Sequence, residues 1–381
     1  MDLRLTEAQV ETRDRARRFA TGQIAPAASA IDRTRAIPAS VLSAVRSGGW
    51  LGLGLPKTWG GGGVDPMAYG LATEEFGKAC SSVRSLMTAH NMAAQALAVF
   101  GTAEQKARWL PALSSGEKII AFALTEPNAG SAANSIQTEA AEQPGSYRLT
   151  GEKVWITAGL LADLYLIFAR SGDKPVALIV EREAEGLRVE PMTEVLGIRG
   201  AMLARLRFDY VEIAKGQRVG AVGAGIAFVA NTALDHGRFS VAWGATGIIQ
   251  GCLDACLSYA TEREQGGHAL KEFQLIRREL TDMLLAHSTA RALCARSAFL
   301  RMAGDPRASM ETTLAKYHSA EAAVRTATNS VRVHGANGYS VGYPVERYLR
   351  DATALEIIEG TREMHQVSLA SYALQRPYVD Y

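Results

Sequence analysis

The spacing of apolar side chains divides the chain into three parts. Over the first, residues 1–120, apolar residues recur at the intervals of one face of an α-helix. Two capping boxes, Thr6 with Gln9 and Thr102 with Gln105, each mark the start of a helix in this part. The first part is therefore predicted to be an all-helical domain.

Glycine and proline predict where these helices begin and end. A loop rich in both, residues 58–66, precedes a long helical stretch from about residue 67 to residue 100. Pro111 is expected to end the helix that Thr102 opens, because proline lacks the N–H group that continues a helix.

The second part, residues 121–225, contains short runs that are typical of β-strands. Each run is bounded by Gly, Asp, Lys or Pro. The runs cover residues 164–169, 176–181, 187–191 and 204–213. This part is predicted to be a compact antiparallel β domain.

Helical spacing returns in the third part, residues 226–381. It is plainest at Ile276, Leu280 and Met283, within a segment free of Gly and Pro, residues 271–303. Three or four long helices are expected here, which indicates a bundle. The order helix, strand, helix differs from the alternating βαβ pattern, and the sequence contains no GxGxxG motif, so a Rossmann dehydrogenase is not expected.

Composition narrows the function. The chain of 381 residues is 48% hydrophobic, and its 41 Lys plus Arg nearly balance its 39 Asp plus Glu, which predicts a globular protein without an electrostatic footprint for nucleic acid. No apolar run has the length of a membrane span, and the first twenty residues carry charges where a signal peptide is apolar, so a cytoplasmic location is expected. A small-molecule or thioester substrate is the default expectation.

Cysteine and histidine patterns exclude two further kinds of site. Four scattered cysteines are too few for a disulfide framework, so buried free thiols are expected. They are Cys80, Cys252, Cys256 and Cys294. The histidines form no HExxH pattern, so no metal site is expected.

Two segments carry residues suited to a planar cofactor. Residues 122–131, FALTEPNAGS, follow a strand-like run with a tight turn whose hydroxyl and N–H groups can bind a polar ring edge or a phosphate, although such a turn can also be only a loop. In residues 153–159, KVWITAG, Trp155 and Thr157 are expected on one face of a strand, as an aromatic wall beside a hydrogen-bond donor. A half-buried edge strand explains this pattern equally well.

A third segment, IIEGT, places Glu359 after two apolar β-branched residues and before Gly360 and a new helix. Apolar neighbours desolvate a carboxylate and raise its pKa towards that of a general base. The other interpretation of Glu359 is a helix cap or a partner of the helix dipole.

Nine motifs together identify a family. They are LTEAQ, PKTWGGGGVDP, GTAEQKARWLPAL, ALTEPNAGS, GEKVWIT, YATEREQGG, GANGY, YPVERYLRDA and EIIEGT. In their order and spacing the chain resembles, nearly end to end, the acyl-CoA dehydrogenase flavoproteins. The resemblance implies an α+β fold with an N-terminal all-α domain (1–120), a middle antiparallel β-barrel (121–225) and a C-terminal four-helix bundle (226–381).

The resemblance also implies an activity and partners. Family members remove a proton from the carbon α to a thioester carbonyl and transfer a hydride from the β carbon to N5 of FAD. They pass the electrons to an electron-transfer flavoprotein or, in oxidase relatives, to oxygen, and they form homodimers or homotetramers.

Site residues follow from the resemblance by matched position. Glu359 would be the catalytic base. FAD would be contacted along its ring by Phe122, Leu124, Thr125, Ser131, Trp155, Ile156, Thr157, Gly360 and Thr361, and towards its adenosine end, from a neighbouring subunit, by Arg263, Gln274, Arg332, Gly335 and Ala336. Ser131, Asp235 and Arg238 would contact the substrate. Some branches carry the base at the position of Gly237, which strengthens the assignment of Glu359.

Four positions depart from the family pattern. The family usually has Phe at Gly266, Gln at Arg332, Asp at Ala132 and Arg at Gln366. Three of these positions lie where family members bind the FAD tail or the pantetheine. The departures therefore affect the expected binding of the adenosine end of FAD and the expected use of free coenzyme A. Arg332 adds charge that could contact a pyrophosphate.

Two substrate classes stay open. FSVAWGATGIIQGC together with ALEIIEGTREM is similar to a smaller branch that oxidises acyl groups on an acyl carrier protein for polyketide extender units, whose substrate resembles a short glyceryl or seryl thioester. His90 and Asn91 would make the acyl pocket polar enough for such a group. An ordinary short-chain acyl-CoA of catabolism is the alternative.

Two other kinds of function compete with the dehydrogenase. Residues 338–342 spell GxSxG around Ser340, with Asp351 and His365 downstream in the order of a hydrolase triad, but a helical segment precedes Ser340 where the nucleophile needs a strand. The four departures are compatible with a scaffold protein that has lost the flavin. Retention of Glu359 and Thr157 argues against this scaffold.

Overall fold

The computed structural model describes residues 4–375, which begin with a helical domain. Its helices are α1 (Glu7–Phe19), α2 (Ala28–Thr34), α3 (Ala39–Ser47), α4 (Pro66–Ala79), α5 (Ser81–Phe100) and α6 (Ala103–Ser115). Both predicted capping boxes are present, at Thr6 and Thr102.

Two helix boundaries differ from the sequence prediction. The expected long helix is broken at Cys80, whose backbone is extended (φ −163°, ψ 113°), and the break places Ser82 where its hydroxyl accepts a hydrogen bond from Gly200 N at 3.1 Å. Pro111 lies inside α6 and does not end it. It is on the exposed side of the helix, and burial of Trp109 and Leu110 outweighs the single lost hydrogen bond.

The middle domain is one sheet. Its strands are β1 (Ile120–Ala123), β2 (Glu139–Gln143), β3 (Ser146–Ile156), β4 (Leu164–Ser171), β5 (Lys174–Glu181), β6 (Leu187–Pro191), β7 (Ala204–Ala214) and β8 (Arg218–Val219). They pair in the order β6, β7, β3, β2, β4, β5, β8, with β1 beside β4.

The sheet is antiparallel except at β4, which pairs in parallel with β1 and, through one residue pair, with β2. The strand β1 arrives from α6 and not through a hairpin, so no tight turn forces it to run against its neighbour.

The C-terminal domain is helical. Its helices are α7 (Asn231–Glu262), α8 (Gln274–Met302), α9 (Ala308–His334), α10 (Val345–Leu355) and α11 (Arg362–Gln375). A small hairpin, β9 (Glu264–Gln265) and β10 (His268–Ala269), connects α7 to α8. Helix α7 packs against α8 and α9 of its own domain and against α4 and α5 of the first, so it joins the two helical domains.

The four cysteines are buried free thiols, as predicted. Within residues 4–375, no helix combines the length and the apolar character needed to cross a membrane. The same residues include no cluster of three or more His, Cys, Asp or Glu side chains suited to a metal ion.

Candidate active site

Glu359 lies in the turn between α10 and α11, with its carboxylate directed into the protein. The residue is half-buried, but its Oε2 atom is buried and has no hydrogen-bond partner among residues 4–375. Burial raises the pKa of Glu359 to about 7, while the charges of Arg238, Lys316 and Arg84 act in the opposite direction. A pKa near neutrality suits a general base that works at that pH.

Two cations hold the turn that carries this carboxylate. Glu359 and Gly360 have φ values of +57° and +101°, and such a left-handed backbone is strained for a glutamate. Arg238 Nε donates to the carbonyl oxygen of Glu359 at 3.1 Å, and Lys316 Nζ donates to that of Gly360 at 2.7 Å. These bonds from α7 and α9 fix the strained turn between the two helices.

Gly237 of α7 provides the room for the carboxylate. A Cβ atom at this position would lie 2.6 Å from Glu359 Oε2 and 2.7 Å from Met92 Sδ. The carboxylate of Glu359 therefore occupies the space that a side chain at residue 237 would otherwise fill.

Trp155 presents a large aromatic ring on the surface of the middle domain. Its side chain is 53% exposed, and its backbone has φ +62°, next to a register shift between β3 and β7. The expectation of a regular strand face was wrong, because this bulge turns Trp155 out of the pleat and Thr157 follows the end of β3. Thr157 is half-buried, and Ile156 between them is buried.

A buried ion pair fastens the FALTEPNAGS turn to the strand of Trp155. Lys153 Nζ lies 2.7 Å from Glu126 Oε1 and 2.9 Å from the Leu124 carbonyl oxygen, and the two charged side chains are almost fully buried. Val154 N also donates to the Thr125 carbonyl oxygen at 2.9 Å. Sequence reasoning missed this pair, because its members are 27 residues apart and each is ordinary within its own motif.

The remaining predicted residues of this segment differ in burial. Phe122, in β1, is half-buried against Phe168, with ring centroids 5.0 Å apart. Leu124 is buried, Thr125 is half-buried, and Ser131 is exposed at the end of the turn.

Residues predicted to bind the adenosine end of FAD are on the surface of the C-terminal domain. They are exposed at the ends of α7 and α9 and the start of α8, and they are Arg263, Gln274, Arg332, Gly335 and Ala336. Arg332 Nη1 donates to Asn329 Oδ1 at 3.2 Å. Gly266 and Ala132 are exposed too, and Gln366 donates to Tyr317 Oη.

Asp235, predicted to contact the substrate, makes an ion pair with Arg301, with 2.6 Å between Oδ2 and Nη2. Gly360 and Thr361 are half-buried and follow Glu359 directly.

The polar pocket expected from His90 and Asn91 was wrong. The ring nitrogens of His90 contact the Leu113 carbonyl oxygen and Ile120 N, and Asn91 Nδ2 donates to the Leu51 carbonyl oxygen at 2.9 Å. His90 therefore binds backbone groups of α6 and β1, and Asn91 binds backbone carbonyl groups of the helical domain.

The residues of the hydrolase pattern have separate partners. Ser340 is exposed after a 3₁₀ turn, and its hydroxyl accepts from Gly342 N. Asp351 is buried and accepts from Ile198 N. A catalytic triad needs its members to contact one another, so the GxSxG pattern is not a nucleophile site.

A polar cleft of about 590 Å³ opens on the middle domain and is lined by Glu126, Asn128 and Arg207 among others. Glu359 does not line it, so this cleft is separate from the carboxylate described above.

Each of the three domains matches a model of a known protein family. The chain matches the family models described as acyl-CoA dehydrogenase N-terminal domain over residues 6–117, middle domain over 121–211 and C-terminal domain over 223–374. It is 35% identical to the short-chain-specific acyl-CoA dehydrogenase of Clostridium acetobutylicum, over 97% of this chain and 99% of that protein. The protein belongs to the acyl-CoA dehydrogenase family, a class of FAD-dependent oxidoreductases.

Solved structures agree with this membership. The chain is similar to butyryl-CoA dehydrogenase from Megasphaera elsdenii (TM-score 0.95, 32% identity, covering 98% of this chain and 100% of that one). It is also similar to the prolyl acyl carrier protein oxidase AnaB (0.92, 29%, 97% and 99%). A third similar structure is FkbI for biosynthesis of the methoxymalonyl extender unit of the polyketide FK520 (0.88, 31%, 97% and 100%).

Proposed function

We propose that this protein is an FAD-dependent dehydrogenase of a short acyl thioester, with Glu359 as the base that removes the α proton. The observation that carries the proposal is the buried, unpartnered Oε2 of Glu359, on a carboxyl with a pKa of about 7, beside the space left by Gly237. A carboxylate without a partner inside the protein is free to accept a proton from a ligand.

The residues of the middle domain fit the flavin ring. The exposed indole of Trp155 offers an aromatic wall, and the buried pair of Lys153 with Glu126 holds Thr125 and the rest of the turn beside it. Thr157, which is half-buried, and Ser131, which is exposed, add hydroxyl groups in the same two segments. When bound, FAD would accept at N5 the hydride that leaves the β carbon.

Glu359 performs the other half of the oxidation. Its carboxylate takes the α proton, the electron pair of that C–H bond becomes the Cα–Cβ double bond as the hydride departs, and the product is an enoyl thioester. The negative charge that develops on the carbonyl oxygen needs a donor, and the backbone N–H of Thr361 is the candidate next to the base. Lys316 and Arg238 keep the turn in place while Glu359 is charged or neutral.

Two carriers of the acyl group are candidates. Similarity to AnaB and FkbI supports an acyl carrier protein, with a short polar acyl group as in extender-unit synthesis. Similarity to the clostridial short-chain dehydrogenase and to butyryl-CoA dehydrogenase supports coenzyme A. Both carriers present the same phosphopantetheine arm, so the role of Glu359 is the same. The electrons would then pass to an electron-transfer flavoprotein or to oxygen.

We also propose that the protein is a homodimer or homotetramer. The residues assigned to the adenosine end of FAD are exposed at the ends of α7 and α9 and at the start of α8, where a second subunit can reach them, which is the arrangement expected if one subunit completes the site of another.

The experiment follows the flavin spectrum of Glu359→Gln under nitrogen. We expect the variant to keep FAD bound but to show no bleaching with thioesters that bleach the wild type, since an amide cannot accept the proton. Glu356→Gln is the matched control, because Glu356 is half-buried in the same turn and its pKa is also raised by burial. Bleaching retained in Glu359→Gln, or lost equally in Glu356→Gln, would refute the assignment.

A wild-type protein that cannot be loaded with FAD would contradict the dehydrogenase altogether. The flavin-free scaffold would then be the better explanation.

A further inference from the structure

Tyr259 lies in the last turn of α7 and is bonded to two segments that are assigned to the adenosine end of FAD. Its hydroxyl group accepts a hydrogen bond from Asn337 Nδ2 at 2.9 Å and donates one to the His334 carbonyl oxygen at 3.2 Å. Its backbone carbonyl oxygen accepts a hydrogen bond from Arg263 N at 2.8 Å. Tyr259 therefore joins the end of α7 to residues 335–339, the GANGY turn.

Two further rings hold the side chain of Tyr259 in place. Its ring stacks on that of His334, with centroids 4.3 Å apart, and the ring of Tyr343 lies edge-on to both, at 5.6 and 5.5 Å. Burial lowers the pKa of His334, so this ring is neutral, and its Nδ1 donates to the Ser330 carbonyl oxygen at 2.9 Å. Aromatic pairs of this geometry are stabilising beyond the area that they bury. The hydroxyl of Tyr259 is thus directed at the GANGY turn by fixed neighbours.

The backbone of the GANGY turn explains why it needs such support. Gly335 has φ 58° and ψ −133°, a conformation that residues with a Cβ atom rarely adopt. Gly335 and Ala336 are exposed, whereas Gly338 packs so closely on α9 that a Cβ atom there would lie 2.3 Å from the Val331 carbonyl oxygen. Glycine gives an unrestrained chain the most conformational freedom. The exposed start of the turn is therefore held in place by the residues on either side of it.

From this geometry we propose that Tyr259 and Asn337 are positioning residues for the adenosine end of FAD. Their hydrogen bond keeps Gly335 and Ala336 in the conformation that binds this end of the cofactor, at a fixed distance from Arg263. The proposal rests on the proposed function, because it requires that Arg263 and the start of the GANGY turn bind the adenosine end. Holding a binding segment in one conformation before the ligand arrives lowers the entropy lost on binding.

The affinities for FAD and FMN test the proposal together. FMN has the flavin ring, the ribityl chain and one phosphate of FAD but lacks the adenosine end. The full-length protein, stripped of flavin, would be titrated with each cofactor and followed by flavin fluorescence. We expect Tyr259→Phe to raise the Kd of FAD about five-fold, because hydrogen bonds are lost at the turn, and to leave the Kd of FMN unchanged.

Asn337→Ala removes the same hydrogen bond from its other side. It should raise the Kd of FAD by a similar factor and also leave the Kd of FMN unchanged. The double variant should bind FAD as tightly as Tyr259→Phe alone, because two substitutions that remove one interaction are not additive.

Tyr343→Phe is the matched control for the loss of a tyrosine hydroxyl. Tyr343 contacts the rings of both Tyr259 and His334, but its hydroxyl forms no hydrogen bond within residues 4–375. This variant should bind FAD and FMN as the wild type does. A melting curve of each variant would show that it is folded.

The failures of the two proposals are distinguishable. If Tyr259→Phe weakens FAD and FMN equally or weakens neither, or if its effect adds to that of Asn337→Ala, the positioning role is wrong and the dehydrogenase stands. A wild type that binds FAD no more tightly than FMN would overturn both the role of Tyr259 and the assignment of residues 335 and 336, but not the flavin-ring site. If the wild type binds neither flavin, the proposed function fails first and the role of Tyr259 fails with it.

Discussion

Burial raises the pKa of Glu359, and the neighbouring cations lower it. The resulting pKa predicts how the rate of flavin reduction depends on pH. Burial brings its pKa to about 7, and only the ionised carboxylate can accept a proton. The rate of flavin reduction in single turnovers should therefore rise about ten-fold per pH unit below pH 7 and level off above it. A midpoint near 4.5, the ordinary value for glutamate, would show that the carboxylate is solvated in the working enzyme.

Lys316 allows the cationic contribution to be measured. Its charge lowers the pKa of Glu359, so Lys316→Met should move the midpoint of the profile upward. The shift should stay within about half a pH unit, because burial lowers the pKa of Lys316 itself to about 7 and the side chain is only partly charged there. Lys316→Arg, which keeps the charge, should return the midpoint towards the wild-type value. Lys174→Met, at an exposed lysine in β5, is the control and should leave the profile unchanged. A Lys316→Met profile with an unchanged midpoint would assign Lys316 to the turn backbone alone.

At this scale the sequence located single residues more readily than pairs. Glu359 and Trp155 could be proposed because they stand in segments that resemble motifs of the family, and their roles stay predictions. The burial of Arg84 was not predicted, although an arginine amid the small and apolar residues of CSSVRSLMTAH was a signal of it. The pairing of Lys153 with Glu126 depends on how β1 and β3 meet, and no local spacing encodes that contact.

Helix α7 makes room for the carboxylate of Glu359 because it has a glycine at residue 237. A methyl group at Gly237 would lie within 2.7 Å of the Glu359 carboxylate and of Met92 Sδ. Gly237→Ala should therefore displace the carboxylate, lower kcat/KM by at least about ten-fold and cost about 1–3 kcal/mol of unfolding free energy, as overpacking does. Steady-state kinetics and chemical denaturation would measure the two effects.

Gly22→Ala is the control for a glycine in a helical segment, because a Cβ atom there meets nothing within 4 Å. It should raise stability slightly, by about 0.4–1 kcal/mol, and leave activity unchanged. Equal behaviour of the two variants would mean that the contact at Gly237 relaxes without moving the base.

Some helix and strand boundaries could not be predicted from the sequence pattern. Capping boxes were predicted correctly because a cap is a contact between residues three apart. The break at Cys80 and the continuation of α6 through Pro111 depend on tertiary contacts, through Ser82 and Gly200 in one case and through Trp109 in the other. The bulge at Trp155 likewise depends on its pairing with β7.

For the whole molecule, the order of helical, β and helical domains was predicted from periodicity and was confirmed, because each domain keeps one period over a hundred residues or more. Periodicity did not predict the role of α7. This helix packs against both helical domains, and Glu359 of the third domain thereby lies near Arg84 of the first. The candidate site is thus a product of domain packing.

The surface of α8 makes the last prediction, which concerns assembly. Leu284 and Leu285 are adjacent on this helix and each more than half exposed, and exposed apolar side chains favour contact with a second copy. Helix α8 begins at Gln274, which is assigned to the adenosine end of FAD in a neighbouring subunit. A variant carrying Leu284→Glu and Leu285→Glu should therefore show a lower mass in sedimentation and, with it, weaker FAD retention on dilution. Val222→Glu, at an exposed apolar residue outside α8, should change neither. A dissociated double variant that retained FAD as tightly as the wild type would mean that each subunit holds the cofactor alone, and that Arg263 and Gln274 have another role.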